Sequence, residues 1–166
     1  MVTPQLFKKY PTPRQLSRAL QGDVEKIIHS TGFFRNKAKN LIACAQGLLD
    51  DHEGEIPRTI EELSALPGVG RKTANVVLGN CFNINEGFVV DTHVKRITGL
   101  LGLTKYTDPE KIELDLMKLF PQEAWCETSH LLIFHGRRTC IARRPQCDLC
   151  VLAEICPARG KTPKGG

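Results

Sequence analysis

Apolar residues recur every three or four positions along the chain and no stretch alternates convincingly with period two, so the pattern predicts helix after helix and an all-α fold. Between Arg35 and Asp51, the set Ala38, Leu41, Ile42, Ala45, Leu48 and Leu49 marks one face of a helix of several turns, with Gly54 just past its end. Thr59 and Glu62 have capping-box spacing: the Thr59 hydroxyl accepts from the N–H of residue 62, the Glu62 carboxylate reaches back, and a helix runs from Ile60 to about Leu66. Pro67 disfavours helical geometry at Leu66, and Gly68 and Gly70 allow a tight reversal before a second helix starts near Gly70 and passes Thr73, Val76 and Val77. Further starts stand at Thr12-Pro13 and Asp108-Pro109, the second followed by an apolar stripe of Ile112, Leu116, Leu119 and Phe120. From Cys81 to Val90, Asn, Gly and β-branched residues predict an irregular or extended connection, and the basic Gly/Pro-rich tail from Arg159 reads as frayed.

A chain of 166 residues accommodates one ordinary domain, or two small lobes, and excludes a multidomain assembly. Its 41% hydrophobic and 25% charged residues are those of a packed globular protein and exclude a disordered or fibrous one. The longest apolar runs, such as Leu131 to Phe134, fall far short of the ~18 residues of a membrane span. The first twenty residues show no secretory signal, which makes the cytoplasm the expected location. A net charge of +5 admits a polyanionic partner, and Arg137, Arg138, Arg143 and Arg144 crowd together as a phosphate-facing edge would.

Three places carry candidate chemistry. Leu66-Pro67-Gly68-Val69-Gly70, opening onto a helix, presents backbone N–H groups without helical partners at the positive end of a helix dipole, as a phosphate site does; an ordinary helix–helix turn has the same spacing. Cys140, Cys147, Cys150 and Cys156 crowd near the C-terminus in a chain without an export signal, where four thiolates suit either zinc or an iron-sulfur cluster. Zinc sites usually show two close pairs, and only Cys147 and Cys150 are so paired, which favours the cluster. Cys44, Cys81 and Cys126 read as core residues. Lys72 reads as one more phosphate contact or, if partly desolvated beside Arg71 and the helix end, as an amine nucleophile; Asp91 reads as the N-cap of a helix starting at Thr92. His93, His130 and His135 are expected in structural hydrogen bonds.

Taken together, Leu66 to Val77, Val90-Asp91-Thr92-His93-Val94-Lys95-Arg96, His135-Gly136-Arg137 and the cysteine tail resemble the endonuclease III family of DNA repair glycosylases, from about Thr3 to Pro157. The resemblance implies two helical lobes facing a cleft: residues 1–85 as a helical barrel with a helix-hairpin-helix at about 59–80, and residues 86–166 as the iron-sulfur lobe. It implies a 4Fe-4S cluster on Cys140, Cys147, Cys150 and Cys156, and Lys72 and Asp91 as the catalytic pair. DNA contacts would come from Leu66, Gly68, Val69, Gly70, Arg71, Arg143 and Arg144. The implied partner is double-stranded DNA with a damaged base or an abasic site, bound by a monomer that is cytoplasmic and, in a bacterium, nucleoid-associated.

Lysine at position 72 distinguishes the chain from adenine glycosylase relatives, which resemble it but carry a small hydroxyl residue there, and from thymine-mismatch relatives, which carry tyrosine. The implied activity is removal of oxidised pyrimidines and β-elimination at the abasic site through a lysine Schiff base. A noncatalytic DNA-binding module and a monofunctional adenine glycosylase are the competing readings. Family members begin with further helices ahead of the stretch matching Thr3, so the barrel lobe is expected to be N-terminally incomplete, with the face of Ala38, Leu41, Ala45 and Leu48 losing cover.

Overall fold

The computed structural model describes residues 1–160; the last six residues of the tail expected to fray lie outside the described residues. Regular structure among the described residues is helical, with no strand. The elements are α1 (Thr3–Lys9), α2 (Pro13–Ser17), α3 (Gln21–Ile28), α4 (Phe34–His52), α5 (Ile60–Ala65), α6 (Arg71–Val77), α7 (Thr92–Leu100), α8 (Pro109–Leu119) and α9 (Trp125–Arg138). None of these helices is long and apolar enough to cross a membrane. The chain divides into two compact units, Met1–Ala74 and the remainder from Asn75, with the division inside α6.

In the first unit, α4 is the longest helix, and it buries Ala38 and Ala45 completely or nearly so, at 0% and 3% exposure. The core around Ala38 is filled by Leu6, Val24 and Ile28, with Leu16, Leu41 and Ile42 packed at its edge. Small residues on α4 let the neighbouring helices approach closely. Leu41 and Leu48, by contrast, are only half-buried. Leu41 helps to line an open groove of about 1010 Å³ together with Leu6, Phe7, Cys44, Pro67 and Val69. The face is therefore covered at its alanines and only half-covered at its leucines. The helix ends on two left-handed residues, Glu53 (φ 56°) and Gly54 (φ 85°), and the Gly54 N–H closes the turn on the Leu48 carbonyl at 2.7 Å.

The second unit is built on Phe88, Val90, Val94, Ile97, Ile112, Leu116, Trp125 and Leu132. The predicted stripe on α8 is buried at Ile112 and Leu116, whereas Leu119 is 55% exposed and Glu113 is buried in its stead. Asp108 caps α8, its Oδ1 accepting the Lys111 N–H at 3.1 Å. After α6 the chain continues as a π-helical turn, Leu78–Phe82, before the irregular stretch expected from Cys81 begins. Cys81 lies on this turn, and it is exposed rather than in the core, because the turn buries Leu78.

Candidate nucleic-acid and iron-sulfur sites

The hairpin is assembled as the sequence predicts. Thr59 caps α5, its Oγ1 accepting the Glu62 N–H at 3.2 Å. The reciprocal half differs, because Glu62 Oε2 accepts from the Thr59 hydroxyl at 2.8 Å instead of reaching the backbone. Leu66 takes an extended conformation ahead of Pro67, and the Val69 N–H closes the turn on the Leu66 carbonyl at 3.1 Å. Gly68 stands at φ +77°, and a β-carbon there would come within 2.7 Å of Asn40 Cβ on α4. Both backbone conformation and packing therefore demand glycine. Gly70 has neither constraint, with open space around it. Gly47, in the middle of α4, admits the Leu66 and Pro67 side chains, which would lie 3.1 and 3.7 Å from a β-carbon at that position.

Lys72 is the second residue of α6 and is exposed, so the expected partial desolvation is not found: the first turn of α6 buries Ala74 and Asn75 and leaves residues 71–73 facing outward. Asp91 is half-buried at the head of α7. Its Oδ1 accepts the N–H groups of His93 and Val94, each at 2.8 Å. The capping role is therefore real, and it engages one oxygen only. Both cap bonds fall on Oδ1, and Oδ2 takes no part in them. A carboxylate clamped through one oxygen presents the other in a fixed direction.

Cys140, Cys147, Cys150 and Cys156 line one small cavity, with Ile97, Leu101 and Leu152. All four thiols are half-buried and none is in a disulfide. Among the described residues, no three His, Cys, Asp or Glu side chains gather closely enough to hold a single metal ion. Tetrahedral zinc requires thiolates about 2.3 Å from one point, whereas a multi-iron cluster is held from its corners. The surroundings suit an anionic sulfur-rich group. Arg96 reaches from α7 to donate through Nη1 to Cys140 Sγ at 3.4 Å and through Nη2 to the Cys140 carbonyl at 2.6 Å. The Leu152 N–H donates to Cys150 Sγ at 3.4 Å. His135 Nε2 lies 3.5 Å from the same sulfur, and burial, helped by the Arg96 charge, pushes the His135 pKa down.

The glycine of His135-Gly136-Arg137 has a packing reason. A β-carbon there would come within 2.9 Å of His93 Cβ and of Ile97 Cδ1, so α9 crosses α7 at a distance only glycine permits. His93 thus serves packing, while His130 meets Asn80 Oδ1 at 2.9 Å. Burial pushes the Cys44 and Cys126 thiols up, but both are half-buried and lie outside the core expected for them. Between Cys140 and Cys147 the loop is closed at its base by the Gln146 N–H on the Thr139 carbonyl at 2.9 Å, and it carries Arg143 and Arg144 fully outward. Arg137 and Arg138 are also exposed, the latter over the Phe134 ring. Sequence reasoning left Arg96 without a role, since its contact lies 44 positions away.

The comparisons agree with this arrangement. Residues 1–122 match the HhH-GPD superfamily of base excision DNA repair proteins, and residues 140–156 match the iron-sulfur binding domain of endonuclease III, whose bounds coincide with Cys140 and Cys156. The endonuclease III of Synechocystis sp. is 53% identical over 157 residues, covering 95% of this chain and 72% of that protein. A solved endonuclease III in a non-covalent complex with DNA superposes with a TM-score of 0.91 at 43% identity, over 96% of this chain and 75% of the other. A trapped covalent endonuclease III–DNA intermediate matches to the same degree, with a TM-score of 0.91 and the same coverage. With its hairpin and its ring of cysteines both in place, the chain belongs to the endonuclease III family of base-excision DNA glycosylases and lyases that carry a 4Fe-4S cluster.

Proposed function

We propose that this protein removes oxidised pyrimidines from double-stranded DNA and cleaves the resulting abasic site by β-elimination, with Lys72 as nucleophile and Asp91 as its charged partner. The observation that carries the reading is the Asp91 carboxylate, clamped through Oδ1 by the His93 and Val94 N–H groups with Oδ2 outside that clamp, in a chain that also exposes Lys72 two residues past the Leu66–Gly70 hairpin. The relative caught as a covalent DNA intermediate supports a covalent step here.

A base inside the stack is out of reach, so the damaged nucleotide is first turned out, at least cost where stacking is already weak. The Lys72 amine then attacks C1′ through its lone pair, and the glycosidic bond breaks with its electron pair leaving on the base. Asp91 Oδ2 stabilises the positive charge that develops on the sugar and accepts the proton that the amine releases. Opening of the sugar ring leaves a Schiff base between Lys72 and C1′. That electron sink acidifies the C2′ proton, and its removal expels the 3′ phosphate.

Binding is assigned to the hairpin and to the cysteine loop. Leu66, Gly68, Val69 and Gly70 turn the chain so that the first N–H groups of α6, which lack helical partners, meet a phosphate alongside Arg71. Arg143 and Arg144 provide two further phosphate contacts from a loop whose ends are Cys140 and Cys147. The 4Fe-4S cluster, held by Cys140, Cys147, Cys150 and Cys156, supplies a covalent tie between four points of the chain, which keeps that loop in place. The protein acts as a monomer in this reading.

Borohydride reduction during reaction with an abasic duplex tests it. The parent chain is expected to become covalently joined to DNA, and Lys72→Ala is expected to lose the adduct while binding DNA within about tenfold of the parent, because one amine is a small share of a multi-phosphate interface. An adduct that persists in Lys72→Ala places the nucleophile elsewhere.

A further inference from the structure

We infer that Asn75 and Glu113 are positioning residues for this reaction, holding the end of the Lys72 helix and the chain that leads into Asp91 to one buried polar contact; the inference rests on the reading of Lys72 as nucleophile. Asn75 follows Lys72 by three residues on α6, less than one helical turn. Both Asn75 and Glu113 are 5% exposed. Asn75 Nδ2 donates to Glu113 Oε1 at 3.1 Å, joining α6 to α8 across 38 positions.

The pair is a poor device for stability alone. Asn75 Oδ1 is buried with no hydrogen-bond partner among the described residues, which costs stability. An apolar side chain of similar shape at position 75 would spare the protein that cost. What the polar pair gives in return is a defined geometry. Exchanging the amide oxygen and nitrogen would set oxygen against the Glu113 carboxylate, so Glu113 dictates how Asn75 is turned.

Gly87 closes the third side of the contact. A β-carbon at Gly87 would run into Glu113 Oε1 and come within 2.5 Å of Asn75 Nδ2 and 2.8 Å of Asn75 Oδ1. Gly87 does not have a positive φ, so space and not backbone conformation demands glycine here. It opens the irregular segment that reaches Asp91 four residues later, and that segment is held a second time where the Val89 N–H donates to Ser129 Oγ at 3.1 Å. One buried contact therefore joins the helix of the nucleophile, α8 and the lead-in to the carboxylate, and an error at any of the three is passed to a reacting group.

The test is the rate of borohydride-trapped adduct formation on saturating abasic duplex, expressed per folded protein from thermal unfolding, with DNA affinity measured alongside. Asn75→Asp sets two carboxylates face to face, and its saturating rate is expected to fall by about tenfold or more, since small misplacement of a reacting group has effects of that order, while DNA affinity stays within about threefold. Adding Glu113→Gln supplies an amide donor to the new carboxylate with the roles reversed, and the rate is expected to return to within about threefold of the parent. Asn75→Ser, which withdraws the donor without adding charge, is expected to show the same loss and serves if Asn75→Asp does not fold.

Parental rates per folded protein in Asn75→Asp or Asn75→Ser overturn the positioning role, and so does a folded double variant that recovers nothing. Lys72→Ala in the same series separates the two ideas. If it still traps DNA, or if the parent traps none, the nucleophile reading fails and this inference fails with it. If trapping depends on Lys72 but not on Asn75, only the positioning role falls.

Discussion

Arg96 on α7 holds Cys140 by two atoms at once, its carbonyl through Nη2 at 2.6 Å and its sulfur through Nη1 at 3.4 Å. The same Nη2 also lies 3.4 Å from the Gly136 carbonyl, so one guanidinium ties the end of α9 to the first cluster cysteine. The planar fork of arginine suits this double duty, and the single ammonium of lysine does not.

Arg96→Met keeps most of the aliphatic stem and removes all three contacts. Hydrogen bonds from a charged donor are worth about 2 kcal/mol, so the variant is expected to melt several degrees lower and to lose its visible iron-sulfur absorbance faster in air. An unchanged melt and unchanged bleaching would show that the four cysteines hold the loop unaided.

Gly68→Ala meets two obstacles, a left-handed backbone and the Asn40 β-carbon at 2.7 Å. A loss of about 2 kcal/mol or more is expected from the two combined. Gly70→Ala, in open space, is expected to change thermal stability by no more than about 0.5 kcal/mol. Equal melting temperatures for the two variants would contradict the hairpin geometry.

Asp91→Asn separates capping from charge. Asparagine caps a helix about as well as aspartate, so folding should change by no more than about 0.5 kcal/mol while base release slows by about two orders of magnitude or more. Asp91→Ala removes the cap as well and is expected to lose about 1 kcal/mol of stability on top. Single-turnover excision with parallel thermal unfolding reads both effects. Full activity in Asp91→Asn would confine Asp91 to the helix terminus.

Arg143 and Arg144 face outward from a loop pinned at its base. If each meets a phosphate, replacing either by glutamine lowers the slope of log affinity against log salt by about 0.9, without changing which lesion is preferred. Anisotropy titrations at several salt concentrations measure that slope, and a slope identical to the parent's removes the residue from the interface.

The hairpin was legible because its determinants are local. Thr59, Pro67 and Gly68 each act within a few residues, and α5, the reversal and α6 follow from them. The four clustered cysteines were legible for the same reason, as spacing in one short stretch. What escaped depends on side chains that meet across 38 or 44 positions, namely Asn75 with Glu113 and Arg96 with Cys140. The π-helical turn Leu78–Phe82 escaped for another reason: an extra residue inside a helical run leaves the apolar spacing almost as it was, and so α6 was not expected to continue past Val77 in that form. Burial was misjudged where a general preference stood in for geometry. Cysteine is usually hidden, yet Cys81 sits on the outer side of that turn, and Glu113 is hidden although glutamate seldom is.

The crossing of α7 and α9 at Gly136 links metal retention to a residue that bears no ligand. Cys140 stands four residues beyond Gly136, and its own N–H is fixed to the His135 carbonyl at 2.8 Å. A methyl group at position 136 would press on His93 and Ile97, and the relief available is for α9 to lift away from α7, carrying Cys140 with it. Gly136→Ala should therefore purify pale, short of iron and sulfide, with every cysteine still in its place in the sequence.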